Sequence, residues 1–123
     1  MSKKKILVAD DDQAIVDVLH ILLEDQGYEV LSTIQASGID ALLLQKPDMI
    51  ILDIWMSGVN GKDVCMRIKK DEATRHIPVI MFSANRDTEE IALQCGADGF
   101  ITKPFEINEL IKLVEEYIDT KSK

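Results

Sequence analysis

The chain has 123 residues, 46% of them hydrophobic and 29% charged, with 22 Asp+Glu against 14 Lys+Arg and a formal net charge of −8. That length suits one domain, able to bury a core without a disulfide framework or a structural metal. The acidic balance argues against a direct nucleic-acid binder, which needs a basic face to replace counterions, and no apolar run approaches the ~20 residues that span a bilayer. Cys65 and Cys95 have no CxxC partner, so neither a zinc site nor a disulfide scaffold is expected, and each reads as a small apolar residue of a reducing compartment. The basic start, Lys3-Lys4-Lys5, meets an apolar run too short for a signal-peptide core; the expectation is a cytoplasmic protein without membrane association.

Short apolar runs alternate with helical patterns throughout. Ile6 to Ala9 predicts a buried strand, stopped by Asp10-Asp11-Asp12. Ile15, Val18, Leu19, Leu22 and Leu23 then recur at helical spacing, with Gly27 as the C-terminal cap. Tyr28 to Thr33 reads as a second strand, and Ile39, Leu42 and Leu43 as a short helix ended before Pro47. Met49 to Leu52 is a third strand closed by Asp53. A loop with Ser57, Gly58, Asn60 and Gly61 leads into a helix carrying Val64 and Ile68. Pro78 opens a fourth strand, Val79 to Phe82, where its missing N–H is tolerable. Asp87 to Cys95 is helical and Gly96 caps it; Gly99 to Thr102 is a fifth strand; Ile107, Leu110, Ile111, Val114 and Ile118 define a last amphipathic helix.

The pattern is (βα)5, an α/β fold. Strands apolar on both faces and joined by helical crossovers imply a parallel sheet covered on both sides. Right-handed crossovers leave few arrangements, and the doubly wound, flavodoxin-like order 2-1-3-4-5 is the expected one. One domain is expected over residues 1–123, with an ordered core at about 4–119.

Ligands of such sheets bind at the carboxyl ends of the strands, near the switch point between strands one and three. The residues at those ends are Asp10, Asp11 and Asp12 after strand one, Asp53 after strand three, Ser83 after strand four and Lys103 after strand five. Strands one and three are neighbours in this order, so Asp10, Asp11 and Asp53 should converge. Three carboxylates together repel at neutral pH, and a hard divalent cation resolves the conflict; an all-oxygen site suits Mg2+, or Mn2+, better than zinc. Taken singly, the aspartates fit helix capping or turn formation, Ser83 a cap and Lys103 a solvated charge. Their convergence on one sheet edge favours a site.

These residues resemble the receiver domains of two-component response regulators. The carriers are Asp10-Asp11, Asp53, Ser83-Ala84 and Lys103-Pro104-Phe105, and the resemblance covers essentially the whole chain. The strand order is itself a known feature of that family. The resemblance implies that Asp53 accepts a phosphoryl group from a histidine kinase or histidine phosphotransfer protein. Asp10, Asp11, Asp53 and the backbone carbonyl of Trp55 would hold Mg2+. Lys103 would pair with Asp53 or a phosphoryl oxygen, Ser83 would bind another oxygen, and Phe100 would stand at the aromatic switch position. The Lys103-Pro104 bond would be cis. Trp55 and Asn85 occupy positions resembling the pair that tunes the phosphoryl lifetime, and Ser57 stands where the family usually carries Pro. Signalling to a downstream effector would pass through the helix-four, strand-five, helix-five face, which leaves room for a phosphorylation-dependent homodimer without demanding one.

Other classes fit less well. An Asp-nucleophile phosphatase usually places an acid two residues after the nucleophile, where this chain has Trp55, so an enzyme is not expected beyond phosphotransfer and autodephosphorylation. An FMN binder needs a phosphate loop after strand one, where three aspartates stand. A receiver-like scaffold that binds partners without phosphorylation should lack a key group, and none is missing. No output module comes after Tyr117: the chain reads as a free-standing receiver, or as one cut from a longer regulator or hybrid histidine kinase, with the absence of a linker favouring the first.

Overall fold

The computed structural model describes residues 3–56, 58–84 and 88–121. Five strands, β1 (Lys5–Ala9), β2 (Glu29–Thr33), β3 (Met49–Asp53), β4 (Val79–Ser83) and β5 (Gly99–Thr102), form one parallel sheet of order β2-β1-β3-β4-β5. The helices are α1 (Gln13–Asp25), α2 (Ile39–Leu43), which comes after a 3-10 turn at Ala36–Gly38, α3 (Gly61–Lys70), α4 (Thr88–Cys95) and α5 (Ile107–Lys121). The doubly wound arrangement predicted from the alternating runs is the one observed.

Alternation along each strand divides the core in two. Ile6, Val8, Met49, Ile51, Ile80, Phe82 and Ile101 pack against Val16, Leu19 and Leu23 of α1 and Leu110, Val114 and Ile118 of α5. Leu7, Ala9, Ile50, Leu52, Val79 and Met81 face Ile39 of α2, Val64, Cys65 and Ile68 of α3, and Ala92 and Cys95 of α4. Each large aliphatic side chain buried in this way contributes about 1.5–3 kcal/mol. The buried stripe of α1 runs through Val16, whereas Val18, expected on the core face, is 44% exposed. Outside the polar row Gln13, Asp17, His20 and Glu24 the helix offers overlapping apolar faces, so spacing alone does not choose the stripe; contact with the sheet does.

The helix ends obey their local chemistry. Asp12 caps α1, its side chain accepting from the Ala14 N–H at 3.0 Å. At the other end Gly27 has φ +92°, its N–H donates to Glu24 O, and the Tyr28 N–H donates to Leu23 O, a Schellman closure. Tyr28 is thereby spent on the helix, and β2 starts one residue later than predicted. The loop expected after Asp53 contains a two-residue hairpin, Trp55–Met56 against Val59–Asn60. Asn60 caps α3 through the Lys62 N–H at 2.9 Å.

Gly61, the first residue of α3, lies directly under the end of β3. Its N–H donates to the Ile54 carbonyl, and a Cβ there would collide with the backbone carbonyl of Asp53 and stand 2.9 Å from that of Ile54. The close approach of α3 to β3 therefore requires glycine. Gly61→Ala should lower the unfolding free energy by about 1–3 kcal/mol, read as a reduced urea midpoint with unchanged slope; an unshifted midpoint would contradict this packing.

Candidate functional site

The strand order sets Asp10, one residue past β1, beside Asp53, the last residue of β3. Asp10 is fully buried; its N–H donates to Thr33 O at 3.2 Å, and its Oδ1 accepts from the Asp12 N–H at 2.9 Å. Its Oδ2 is buried and accepts no hydrogen bond of good geometry among the described residues; the charge facing it is Lys103 Nζ at 2.8 Å. Asp53 is 6% exposed, and its Oδ2 lies 3.9 Å from the same ammonium. Asp11 is exposed at the rim. One carboxylate oxygen from each of Asp10, Asp11 and Asp53 falls within 4.8 Å of the others.

Lys103 reaches this cluster because β5 ends one residue earlier, its own N–H donating to Ser83 O at 2.9 Å. The Lys103-Pro104 peptide is cis. Its ammonium lies 4.8 Å from the centroid of the Phe82 ring, which meets Phe105 edge-on at 5.3 Å. The cation therefore sits between an aromatic platform and two carboxylates, closer to Asp10 than to Asp53.

The electrostatics are set by crowding. The Asp53 carboxyl is pushed up from 3.8 to about 7, chiefly by burial and then by the charge of Asp10, with Asp11 adding slightly. Lys103 and the Trp55 backbone N–H oppose the shift. Carboxylate oxygens of Asp10, Asp11 and Asp53, two of these residues buried and one exposed, are a donor set suited to a hard divalent cation.

Of the other residues singled out in the sequence, Ser83 ends β4, is buried, and pairs in register with Thr102 of β5. Trp55 stands two residues after Asp53 and is 54% exposed on the hairpin. Phe100 lies on β5 with its ring partly exposed, lining a shallow groove with Leu93, Leu113 and Tyr117. Ser57 and Asn85 lie outside the described residues. Two participants were not singled out as site residues. Phe82 looked like one more apolar strand residue, although it directly precedes Ser83; Gly61 looked like a loop glycine, although it comes directly after the cap residue Asn60.

Comparisons with known proteins agree with this geometry. Residues 6–115 match the family model described as response regulator receiver domain. The DNA-binding dual master transcriptional regulator RpaA of Synechocystis is 39% identical over 113 residues, which cover 89% of this chain and 47% of RpaA. The chain spans about half the length of the curated relatives it matches. A CheY-like response regulator receiver domain protein from Methanospirillum hungatei superposes with a TM-score of 0.89 at 27% identity, over 98% of both chains. The receiver domain of sensor histidine kinase PA1611 from Pseudomonas aeruginosa, solved with a magnesium ion coordinated in its active-site cleft, superposes with a TM-score of 0.83 at 27% identity, over 96% of this chain and 99% of that one.

The raised Asp53 pKa has a definite consequence for stability. A folded-state value above the unfolded one means that the native state holds the proton more tightly, so metal-free stability falls as pH rises from about 4 through about 7. In EDTA, Asp53→Asn should exceed the wild type by about 1–3 kcal/mol at about pH 8 and lose most of that advantage near pH 4. Urea unfolding at the two pH values checks this; an equal gain at both would contradict it.

Proposed function

Since the chain belongs to the receiver domain family of two-component response regulators, we propose that it is a phosphorylation-driven signalling switch with Asp53 as the phosphoacceptor. The observation that carries this reading is the meeting of Asp10, Asp11, Asp53 and Lys103 at the switch point of the sheet, with carboxylate oxygens within 4.8 Å of one another and one ammonium beside them. The donor would be a histidine kinase or a histidine phosphotransfer protein in the cytoplasm, and the reader a downstream effector protein.

In the proposed transfer an Asp53 carboxylate oxygen attacks the phosphorus of a phosphohistidine. The O–P bond forms as the P–N bond breaks, and the imidazole leaves. Asp10, Asp11, Asp53 and the Trp55 carbonyl would hold Mg2+, which when bound would supply neutralising charge to the phosphoryl group. Lys103, already 3.9 Å from Asp53, shifts from Asp10 toward the new phosphoryl oxygen. Ser83, at the neighbouring strand end, donates its hydroxyl to another oxygen, and the volume it leaves is filled by Phe100 turning inward from the β5 surface. The α4-β5-α5 face then changes shape, a transition that needs a gap of only a few kcal/mol between two states. Phe100 carries no hydroxyl, so its contribution is packing alone. A phosphorylation-dependent homodimer would use the same face.

Incubation with a small phosphodonor and Mg2+ should add the mass of one phosphoryl group to the intact protein, and the gain should vanish in EDTA and in Asp53→Asn. No gain in a folded sample that binds Mg2+ would instead make the chain a receiver-like module that binds partners unphosphorylated. On this reading the half-exposed Trp55, two residues after Asp53, shields the acyl phosphate from water. Trp55→Ala should therefore speed its hydrolysis about two- to ten-fold, up to about 1.4 kcal/mol of barrier, measured as decay of the phosphorylated mass; an unchanged or slower decay would assign Trp55 to loop packing.

A further inference from the structure

Cys65 and Cys95 take no part in the acidic site, yet the fold brings them together. Cys65 lies within α3 and Cys95 at the last position of α4, and both belong to the core on the same face of the sheet. Both are free thiols and both are buried, Cys65 completely. Cys65 Sγ donates to the backbone carbonyl of Cys95 at 3.6 Å, and Cys95 Sγ donates to that of Ala92 at 3.5 Å. Each thiol also acts electrostatically on the other.

The surroundings repeat along one stripe of α3. Lys62, Cys65 and Lys69 stand at i, i+3 and i+7, facing the end of α4. Lys62 Nζ donates to Gln94 Oε1 at 2.9 Å; Lys69 Nζ donates to Asp98 Oδ2 at 2.8 Å and to Ile77 O at 2.9 Å. An ammonium is thus fixed on either side of the cysteine pair. Gly96, at φ +82°, turns the chain directly after Cys95, and the Ala97 N–H closes the helix on Ala92 O at 3.0 Å. Cys95 therefore occupies a helix terminus, 3% exposed beside the turn at Gly96.

We propose that Cys65 and Cys95 are a dithiol–disulfide couple, oxidised by peroxide, that staples the end of α4 to α3. Cys95 is the attacking thiol: it stands at the end of α4 beside the Gly96 turn, and the neighbouring Cys65 side chain, the Ala97 N–H and the Lys62 charge lower its pKa against the opposing effect of burial. The neighbouring Cys95 side chain, and then burial, push the Cys65 thiol up, so it keeps its proton. The Cys95 thiolate attacks one oxygen of hydrogen peroxide; an S–O bond forms, the O–O bond breaks, and hydroxide leaves as water after taking a proton. The Cys65 sulfur then attacks the Cys95 sulfur, the S–S bond forms, and the sulfenic oxygen leaves with the Cys65 proton as a second water. Two thiols are oxidised by two electrons and one peroxide is reduced to two waters; a thiol reductant reverses the change. No step uses Asp53, so the couple stands apart from the phosphoacceptor reading.

The test treats the folded, full chain with hydrogen peroxide, then denatures it and alkylates free thiols. The expected product has lost two hydrogens, about 2 Da, and takes up no alkylating agent. A non-reducing peptide map should join the Cys65 and Cys95 peptides, and dithiothreitol should restore both thiols. The linked form should unfold about 5 °C or more above the reduced form, a rise that Cys65→Ala and Cys95→Ala do not show. Two thiols still open to alkylation, added oxygen on one sulfur without linkage, a disulfide only between chains, or an unshifted midpoint in the linked form would each overturn the proposal; none of these four readings needs a variant that could fail to fold.

Discussion

Two buried carboxylates at neighbouring strand ends share one ammonium, and the rest of the site is arranged around that shortage of positive charge. Burial and the charge of Asp10 make Asp53 costly to ionise, and Lys103, at 2.8 Å from Asp10 and 3.9 Å from Asp53, compensates the two carboxylates unequally. Backbone groups take up part of the remainder: the Asp12 N–H on Asp10, the Trp55 N–H on Asp53. What is left over is Asp53, farther from the ammonium and ionising only near neutrality. A cation or a phosphoryl group arriving here meets groups already oriented for it, which is the sense in which the site is preorganised.

The sheet register carries this local imbalance outward. Asp53 is opposite Phe82, and Ser83, the next residue of β4, is opposite Thr102, which precedes Lys103. Phe82 supports the ammonium from below while also lying in the α1/α5 half of the core. A displacement of Lys103 therefore acts on the ends of both β4 and β5, the strands that lead into α4 and α5. On the proposed reading this is why a charge added at Asp53 is felt at Phe100 and along the α4-β5-α5 face.

Much of this was legible in the chain. Apolar runs of four residues mark β1, β3 and β4, shorter apolar pairs mark β2 and β5, and Gly27 and Gly96 mark helix ends that the structure closes with left-handed turns. The residues at the carboxyl ends of the predicted strands already assemble Asp10, Asp11, Asp53, Ser83 and Lys103. The stripe of α1 was not legible, because Ile15, Val16, Val18, Leu19, Ile21, Leu22 and Leu23 offer several overlapping apolar faces. Nor was the hairpin at Trp55–Met56, since two-residue strands have no periodicity to detect. Phe82 and Gly61 matter through neighbours distant in sequence, Lys103 above one and the Asp53 carbonyl beside the other, and no local pattern encodes such contacts.

Trp55 is the sole tryptophan of the chain, half-exposed and two residues from Asp53, so its fluorescence reports the site directly. A titration of Mg2+ against that signal at several pH values between about 5.5 and 8 tests the electrostatic account. Competition between the cation and the Asp53 proton predicts saturable binding whose affinity weakens as pH falls below about 7, and a flat pH profile in Asp53→Asn. Affinity in the wild type that does not change across that range would contradict the claim that a crowded, proton-holding Asp53 organises the site.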